Sequence, residues 1–432
     1  MKSIDQVTCC IVDHGAYLPL ALKLAQSYKR VLYYTPWEES YPTVNKCCIG
    51  DGFEEIERCD DFWSIKSEID LFVFPDILHG GLQEELTHQG FAVWGSGKAD
   101  VIETDRLDFI GALQGVGLEI PKMVEIRGVT SLRMHLIDKE DKYIKISRFR
   151  GTMETYHWRD YDVDRGWLDG MAVKLGPLAD LIRFLVFDAI ETEVEIGGDT
   201  YCIDGKFPSH MMEAYEWKDK SAFGAFKPVE ETADCIQKVM EAFGPILGSH
   251  SYRNNFSMEI RVMDDGKFFF LDPCCRGPLP MSWGQAELYA NLPEIILAGA
   301  NGELVDPEPT DLFCCECILT RCGEVNQWSS IVVPDELEDA VKIANCCKAD
   351  GVIGCPPNEH LERDIGWLVA TGKTPKETLE KQLEQAKLLP DGIKAATESL
   401  ADLLREIAEA EKSGLEFSKL PTPKPQDAVE PT

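Results

Sequence analysis

Strand patterns and helix patterns alternate over the first hundred residues of the chain. An apolar strand at 7–13 precedes a helical pattern and a second strand, and the same order returns over 69–96. Strands that alternate with helices form parallel sheets whose faces are covered by the helices. Residues 1–103 are therefore predicted to form an α/β domain with a parallel sheet.

The pattern becomes mixed after residue 103. Residues 104–305 combine short helices with paired strands, which is typical of an α+β domain, and residues 306–412 alternate strands with amphipathic helices. One of these helices begins at Thr374 and Pro375, a residue pair that favours a helix start. The polar, proline-containing segment 413–432 is predicted to be a disordered tail.

Alternation is sharpest over 256–276, where two strand patterns flank Asp265 and Gly266. This dipeptide favours a two-residue type I′ turn, and in that register Glu259 opposes Asp272. Opposed carboxylates have Cβ atoms about 5 Å apart and repel each other unless a positive charge lies between them. Hard Mg²⁺ prefers carboxylate oxygens and usually keeps phosphates as its other ligands. The pattern predicts a metal site at this pair, with a solvent-exposed acidic face as the alternative.

Two further polar residues follow Asp272 on the same side of the second strand. Cys274 opposes Ser257 in the predicted register, and Arg276 comes two residues later. A thiol is a soft ligand that suits Zn²⁺ better than Mg²⁺. We include Cys274 with Glu259 and Asp272 as a predicted metal residue, and its effect on the preferred ion stays open.

The length and charge of the chain limit the number of its domains and the class of its partners. With 432 residues it exceeds what one hydrophobic core organises, so two or three domains are expected. A net charge of −32 argues against a nucleic-acid polymer as partner, because phosphate backbones bind basic surfaces. ATP is compatible with this charge where local cations outweigh it. Neither a secretory leader nor an apolar run of the ~18 residues that span a membrane is visible, so no membrane partner is expected.

The 16 cysteines stand largely in adjacent pairs. Neighbours on a strand point to opposite faces and do not easily bridge each other, so we interpret them as buried reduced thiols. Reduced thiols in this number predict a cytoplasmic protein. A zinc site is the alternative for one set, namely Cys314, Cys315, Cys317 and Cys322.

The segment 75–109 resembles the ATP-grasp ligases, in particular the phosphoribosylamine–glycine ligase family. A strand that ends in proline, a glycine, a helix of the type GLxxxL and the stretch 95–99 (GSGKA) follow the family pattern, and Arg106 stands where relatives have a lysine. The resemblance covers most of residues 5–391. It continues through KYIKISRFRG (142–151), AIETEV (189–194), the carboxylates at 259 and 272, and 365–386.

This resemblance implies an ATP-grasp fold of mixed α/β and α+β class, with an N-terminal Rossmann-like domain, an ATP-grasp domain and a C-terminal α/β segment. It implies a nucleotide held between two α+β lobes, with Mg²⁺ or Mn²⁺ as the metal. The implied chemistry activates a small carboxylate, such as an amino acid, as an acyl phosphate that an amine then attacks. The oligomeric state stays open, with a homodimer as one alternative.

The resemblance also implies roles for single residues. Lys145 stands between Ile144 and Ile146 on a strand, so its side chain is expected at the ATP phosphates; an outward-facing lysine on an edge strand is the alternative. A solvated basic loop and an exposed acidic strand are the alternatives for 148–151 and 191–199. The implied catalytic residues are Lys218 and Arg276. The implied cofactor-binding residues are Arg106, Lys145, Arg148, Arg150, Gly151, Glu191, Thr192, Glu193, Val194 and Asp199.

Three departures from the family pattern bear on activity. Relatives have asparagine at the position of Cys274, the stretch 277–280 (GPLP) replaces an acidic motif, and a glycine-rich segment is not visible around 222–228. The sequence therefore predicts an ATP-dependent carboxylate–amine ligase. It leaves two alternatives, a catalytically silent nucleotide-binding or assembly protein and a kinase that stops at phosphorylation.

Overall fold

The computed structural model of the chain describes residues 2–35, 48–148, 155–190, 194–263, 265–357, 363–412, 414, 415 and 417. Nearly all of the predicted disordered tail, 413–432, lies outside these residues. The described residues form a parallel sheet, a small antiparallel sheet and a large antiparallel sheet, with a short three-stranded one beside it.

A parallel sheet forms the N-terminal part of the chain, as the sequence predicts. Its elements are β1 (Thr8–Val12), α1 (Leu18–Ala25), β2 (Arg30–Tyr34), β3 (Glu57–Cys59), β4 (Leu71–Val73), α2 (Gly80–His88) and β5 (Ala92–Trp94). The strand order is β3-β2-β1-β4-β5. Every residue of β1 is buried because both faces of a parallel sheet are covered. Two helices, α3 (Asp100–Thr104) and α4 (Arg106–Gly115), lead onward.

A small lobe follows and has a hydrophobic core of its own. Its elements are β6 (Met123–Arg127), α5 (Val129–Leu136), β7 (Lys142–Ile146), β8 (Thr155–Trp158), α6 (Tyr161–Leu175) and β9 (Arg183–Asp188). The sheet order is β6-β9-β7-β8. Ile144 and Ile146 are buried in the core of this lobe. Lys145, between them on β7, therefore projects from the opposite face of the sheet.

The large sheet begins with a long run of antiparallel strands. Its first elements are β10 (Val194–Ile203), β11 (His210–Trp217), β12 (Ser221–Pro228), α7 (Asp234–Ser249), β13 (Arg253–Val262), β14 (Phe268–Cys274), α8 (Ser282–Leu288) and α9 (Leu292–Ala300). Helix α7 packs on β10 and β13 with apolar residues such as Ile236, Val239 and Phe243. The opposite face of these strands is left to line a cleft.

The C-terminal elements extend the same sheet. They are β15 (Phe313–Arg321), β16 (Ser329–Ile331), β17 (Val341–Ile343), β18 (Cys347–Ala349), β19 (Val352–Cys355), β20 (Asp364–Gly372), α10 (Pro375–Lys387), β21 (Ile393–Ala395) and α11 (Leu400–Lys412). The order is β14-β13-β10-β11-β12-β15-β20-β17, with β21 beside β15. The pairing of β12 with β15 crosses residue 305, so the proposed ATP-grasp and C-terminal segments share one sheet. Helix α10 begins where predicted, with Thr374 as its cap.

Two general properties complete the fold. In the described part of the chain no helix is both long enough and apolar enough to cross a membrane. The described cysteines are free thiols, and most of them are buried.

Candidate active site

The hairpin of β13 and β14 holds the central pair of carboxylates. Glu259 lies directly opposite Asp272, and Ser257 lies opposite Cys274, as the sequence predicts. Both carboxylates are partly exposed to the cleft.

The turn of this hairpin differs from the prediction. Met263 N donates to Lys267 O at 2.7 Å, so Met263 pairs with Lys267 and the predicted two-residue turn is wrong. Gly266 has φ of +80°, the conformation that ends a three-residue hairpin loop. A bulge at Leu271, between Phe270 and Asp272, restores the register, because Ile260 pairs with Phe270 while Glu259 still pairs with Asp272.

Two cations of the chain itself neutralise Asp272. Lys145 Nζ lies 2.5 Å from Asp272 Oδ2, and Arg106, the first residue of α4, donates to Oδ1. Burial alone would raise the pKa of Asp272, but Lys145 and Arg106 outweigh it and hold this pKa well below its usual value. The positive charge that the sequence argument assigned to a metal is thus partly supplied by side chains. Because Lys145 belongs to the small lobe, this ion pair also joins the two lobes.

The surroundings of Glu259 raise its pKa, whereas those of Asp272 lower the pKa of that residue. Burial, followed by the charges of Glu195 and Asp272, raises the pKa of Glu259 to about 8. Desolvation in the cleft and the charge of Glu259 likewise raise the pKa of Glu216 to about 8. Desolvation lowers the pKa of Lys218, but Glu259 and Asp272 raise it by more. The cleft therefore has a local excess of carboxyl groups, which an added cation would relieve.

This donor set fits a hard divalent cation only in part. Glu259 and Asp272 offer carboxylate oxygens, the ligands that Mg²⁺ prefers. Across the described ranges no group of three or more His, Cys, Asp or Glu residues is arranged to hold a metal. Cys274 therefore does not complete such a group; its Sγ lies 3.7 Å from Arg276 O. A metal here would need further ligands from a bound phosphate.

The four cysteines of the alternative zinc site lie on β15 or just beyond it. Cys314, Cys315 and Cys317 are buried on β15, and Cys322 is exposed beyond its end. They do not form a metal-binding group within the described residues.

Arg276 connects the cleft to the N-terminal part of the chain. Its Nε lies 3.0 Å from Glu103 Oε1 and 3.5 Å from Asp76 Oδ1. Its Nη1 donates to Gly277 O at 3.2 Å. These contacts fix the guanidinium at the edge of a cavity of 910 Å³.

Two cavities meet at the carboxylate pair. The first, of 480 Å³, is lined by both apolar and charged residues; among them are Ile110, Leu113, Pro121, Phe187, Ile190 and Leu271, and Lys145, Lys218, Glu259 and Asp272. The second, of 910 Å³, shares Lys218, Glu259 and Asp272 with the first and extends to Asp199, Ser257, Arg276 and Met281. The apolar residues suit a nucleobase, and the lysines beside the carboxylate pair suit phosphates that carry a bound cation.

The remaining predicted site residues lie in different parts of the fold. Arg148 is exposed and bonds Asp105, which caps α4, rather than lining either cavity. Val194 begins β10 opposite Val262. Asp199 lines the second cavity, not the first. Arg150, Gly151, Glu191, Thr192 and Glu193 lie outside the described residues.

Sequence reasoning missed four acids of the first cavity, which are Asp188, Glu195, Glu216 and Glu406. Glu195 lies on β10 and bonds Arg261, and Glu406 reaches the cavity from α11 near the end of the chain. Burial and the charge of Glu195 raise the pKa of Glu406 to about 7. The alternation of polar and apolar residues along β10 could have indicated Glu195. No sequence pattern around Glu406 indicates that this residue reaches the cavity.

No protein-family model and no curated protein sequence matches the chain. Solved structures are similar over nearly the whole of it. Phosphoribosylamine–glycine ligase from Thermotoga maritima superposes with a TM-score of 0.64 at 16% identity, covering 90% of this chain and 99% of that one. The chain has an ATP-grasp fold.

Two further ATP-grasp structures show the same agreement. Biotin carboxylase from Campylobacter jejuni, in complex with a β,γ-ATP ligand, has a TM-score of 0.64 at 12% identity and covers 90% of this chain and 93% of that one. L-amino acid ligase from Bacillus licheniformis has a TM-score of 0.61 at 13% identity, covering 89% and 98%. The predicted fold class is confirmed.

Proposed function

We propose that this ATP-grasp protein is an ATP- and Mg²⁺-dependent ligase that joins a small carboxylate to an amine through an acyl phosphate. The observation that carries the proposal is the pair Glu259–Asp272, which lies where the first cavity, the proposed nucleotide slot, meets the larger second cavity and is surrounded by Lys145, Arg106 and Lys218. Phosphoryl transfer needs positioning and charge neutralisation more than covalent chemistry. This arrangement offers both.

Each group would have a distinct task. The apolar residues of the first cavity would hold the adenine, and Lys145 and Lys218 would neutralise the phosphates. Glu259 and Asp272 would hold Mg²⁺, which neutralises phosphate charge when bound. Arg276 would orient the carboxylate that receives the phosphoryl group, because a guanidinium binds carboxylate and phosphate oxygens in a fork.

The comparisons support the proposed substrates. Phosphoribosylamine–glycine ligase and L-amino acid ligase share this fold, which supports an amino acid, with glycine first, as the carboxylate. Activity of the phosphoribosylamine–glycine ligase type is the finer form of the proposal.

The test is ADP release with Mg²⁺ across the amino acids, with and without added amines. Release that requires a carboxylate, together with a hydroxamate on adding hydroxylamine, supports the acyl-phosphate route. A stable phosphorylated product would instead identify a kinase. If the protein binds ATP but releases no ADP with any substrate, it is a silent nucleotide-binding protein and the proposal fails.

A further inference from the structure

Two buried acids lie on the face of the large sheet that lines the second cavity, away from the nucleotide slot. Asp199 is only 4% exposed, and Glu316 is completely buried. Asp199 lines the cavity. Glu316 opposes Ala222, another lining residue, so both side chains project from the same face of the sheet.

The two acids differ in what balances them. Backbone N–H groups of Met281, Trp283 and Gly284, at the start of α8, bond Glu316, and Gly284 N donates to its Oε1 at 2.5 Å. The Asp199 side chain is bonded by Ser257. Among the residues that the structure describes, neither acid forms an ion pair with Lys or Arg. Burial raises the pKa of each to about 7.

The groups packed around Asp199 are neutral or acidic. Met212 on β11 and Ser257 on β13 are its direct neighbours in the sheet. Cys314 and Glu316 on β15 and Tyr289 also interact with it electrostatically, and the Tyr289 hydroxyl is buried without a partner. A buried carboxyl group in such surroundings is costly to ionise unless a cation comes to it.

Small residues separate Asp199 from the carboxylate pair. Gly197 opposes Glu259 and Ala214, and Asp199 comes two residues later on the same face of β10. Two residues of strand span roughly 7 Å. Gly197, Ala214 and Ala222 leave that space open as part of the cavity.

We propose that the second cavity binds the amine substrate as its ammonium ion beside Asp199, and that Asp199 accepts the proton which frees the amine for reaction. The chemistry rests on the proposed ligase function. The ammonium gives one proton to the Asp199 carboxylate, the free amine forms the C–N bond at the acyl carbon, and the C–O bond to phosphate breaks. The second nitrogen proton leaves with the phosphate.

Binding is tested without any activity, using methylammonium chloride as the probe. The melting temperature is measured against equal sodium and potassium chloride, in buffer more alkaline than the Asp199 pKa of about 7. Wild type should show a rise that depends on methylammonium concentration, and Asp199→Asn should not. Asp219→Asn is the matched control, because Asp219 is an exposed acid at the same cavity. Asp199→Ser replaces the Asn variant if that variant does not fold.

No rise in wild type, an equal rise in all variants, or the same rise with potassium chloride would each overturn the proposal. These results do not depend on whether the protein is a ligase, which hydroxamate formation by wild type decides separately.

The proton transfer is tested by comparing nucleophiles. Hydroxylamine is unprotonated at neutral pH and needs no base, so Asp199→Asn should lose far less hydroxamate formation than amide formation from methylamine. With methylamine, amide formation by this variant should fall by about 100-fold or more, the usual contribution of a general base. It should recover in alkaline buffer, where the amine is free. Equal losses with both nucleophiles would show that Asp199 is only structural.

Discussion

Glu259 and Asp272 oppose each other on one hairpin, yet their surroundings act on them in opposite directions. Lys145 and Arg106 favour the charged form of Asp272, whereas burial and Glu195 disfavour the charged form of Glu259. Removal of one charge should therefore have opposite effects on stability at the two positions.

For Glu259→Gln we expect the ligand-free protein to be as stable as wild type near neutral pH, where Glu259, with a pKa of about 8, is mostly protonated. At higher pH it should be more stable, because the substitution removes a repelled carboxylate. The stabilisation by Mg²⁺–ATP, about 2.7 kcal/mol at a ligand concentration of 100 Kd in wild type, should be lost. Thermal unfolding with and without Mg²⁺–ATP measures both. Glu384→Gln, on the exposed face of α10, is the control. Equal ligand shifts in wild type and Glu259→Gln would refute the metal assignment.

For Asp272→Asn we expect destabilisation, because Lys145 and Arg106 lose their shared partner. Breaking a buried ion pair costs about 3–5 kcal/mol, and the cost here should fall below that range because the Asp272 side chain is 30% exposed. Urea unfolding of the ligand-free variants gives the sign directly. A variant as stable as Glu259→Gln would show that the two cations do not depend on Asp272.

Cys274→Asn tests the departure from the family pattern. An amide oxygen is a harder ligand than a thiol, so the variant should need less Mg²⁺ for half-maximal ADP release. Titrations with Mg²⁺ and Mn²⁺ on both proteins measure this. No change at any metal concentration would mean that this side chain does not reach the metal.

At the scale of elements, the hairpin shows what sequence can and cannot predict. Alternation and the Asp265–Gly266 pair located both strands and the opposition of Glu259 and Asp272. They did not fix the loop, because this dipeptide suits two-residue and three-residue turns. The long pairing of β13 with β10, from Arg253 opposite Ile203 to Val262 opposite Val194, fixes the place of β13 in the sheet, and the bulge at Leu271 brings Asp272 opposite Glu259.

Some other residues of the site could be predicted from the sequence and some could not. Lys145 was predictable, because Ile144 and Ile146 beside it indicate a buried strand face. The partnership of Arg106 with Asp272 and the place of Glu406 in the first cavity were not, since each joins elements far apart in the chain.

Deletion of Leu271 tests the role of the bulge. Without this residue Asp272 follows Phe270 directly and, because Phe270 pairs with Ile260, it still opposes Glu259. We therefore expect the variant to keep its stabilisation by Mg²⁺–ATP. Gly266→Ala is the comparison: it strains the loop by about 1 kcal/mol and should also leave this ligand effect intact. Loss of the effect in the deletion variant alone would show that the bulge itself is needed to present Asp272 to the cleft.

At the scale of the whole molecule, several carboxyl groups have raised pKa values. They are Asp199, Glu316 and Glu406, each with a pKa of about 7, and Glu216 and Glu259, each at about 8. In the unfolded chain the same groups lose their protons near pH 4. Between these limits the folded state holds more protons, so their stabilising contribution is complete below about pH 4 and is lost as the pH rises through 7 to 8.

We therefore expect the ligand-free protein to be less stable at about pH 8.5 than at about pH 6, by at least about 2 kcal/mol. Urea unfolding at both pH values measures the difference. The double variant Asp199→Asn, Glu316→Gln should have a flatter profile. Constant or rising stability over this range would contradict the raised pKa values.

The bond between Lys145 and Asp272 joins a strand of the small lobe to a strand of the large sheet, and each of these residues is also a proposed ligand contact. A metal bound at Asp272 would compete with the ammonium of Lys145, and a phosphate bound at Lys145 would leave Asp272 with Arg106 as its cation. With both ligands present, Asp272 would hold the metal and Lys145 the phosphate, so contacts through the ligands would replace the ion pair between the two lobes. Binding of the metal and binding of the nucleotide would then strengthen each other.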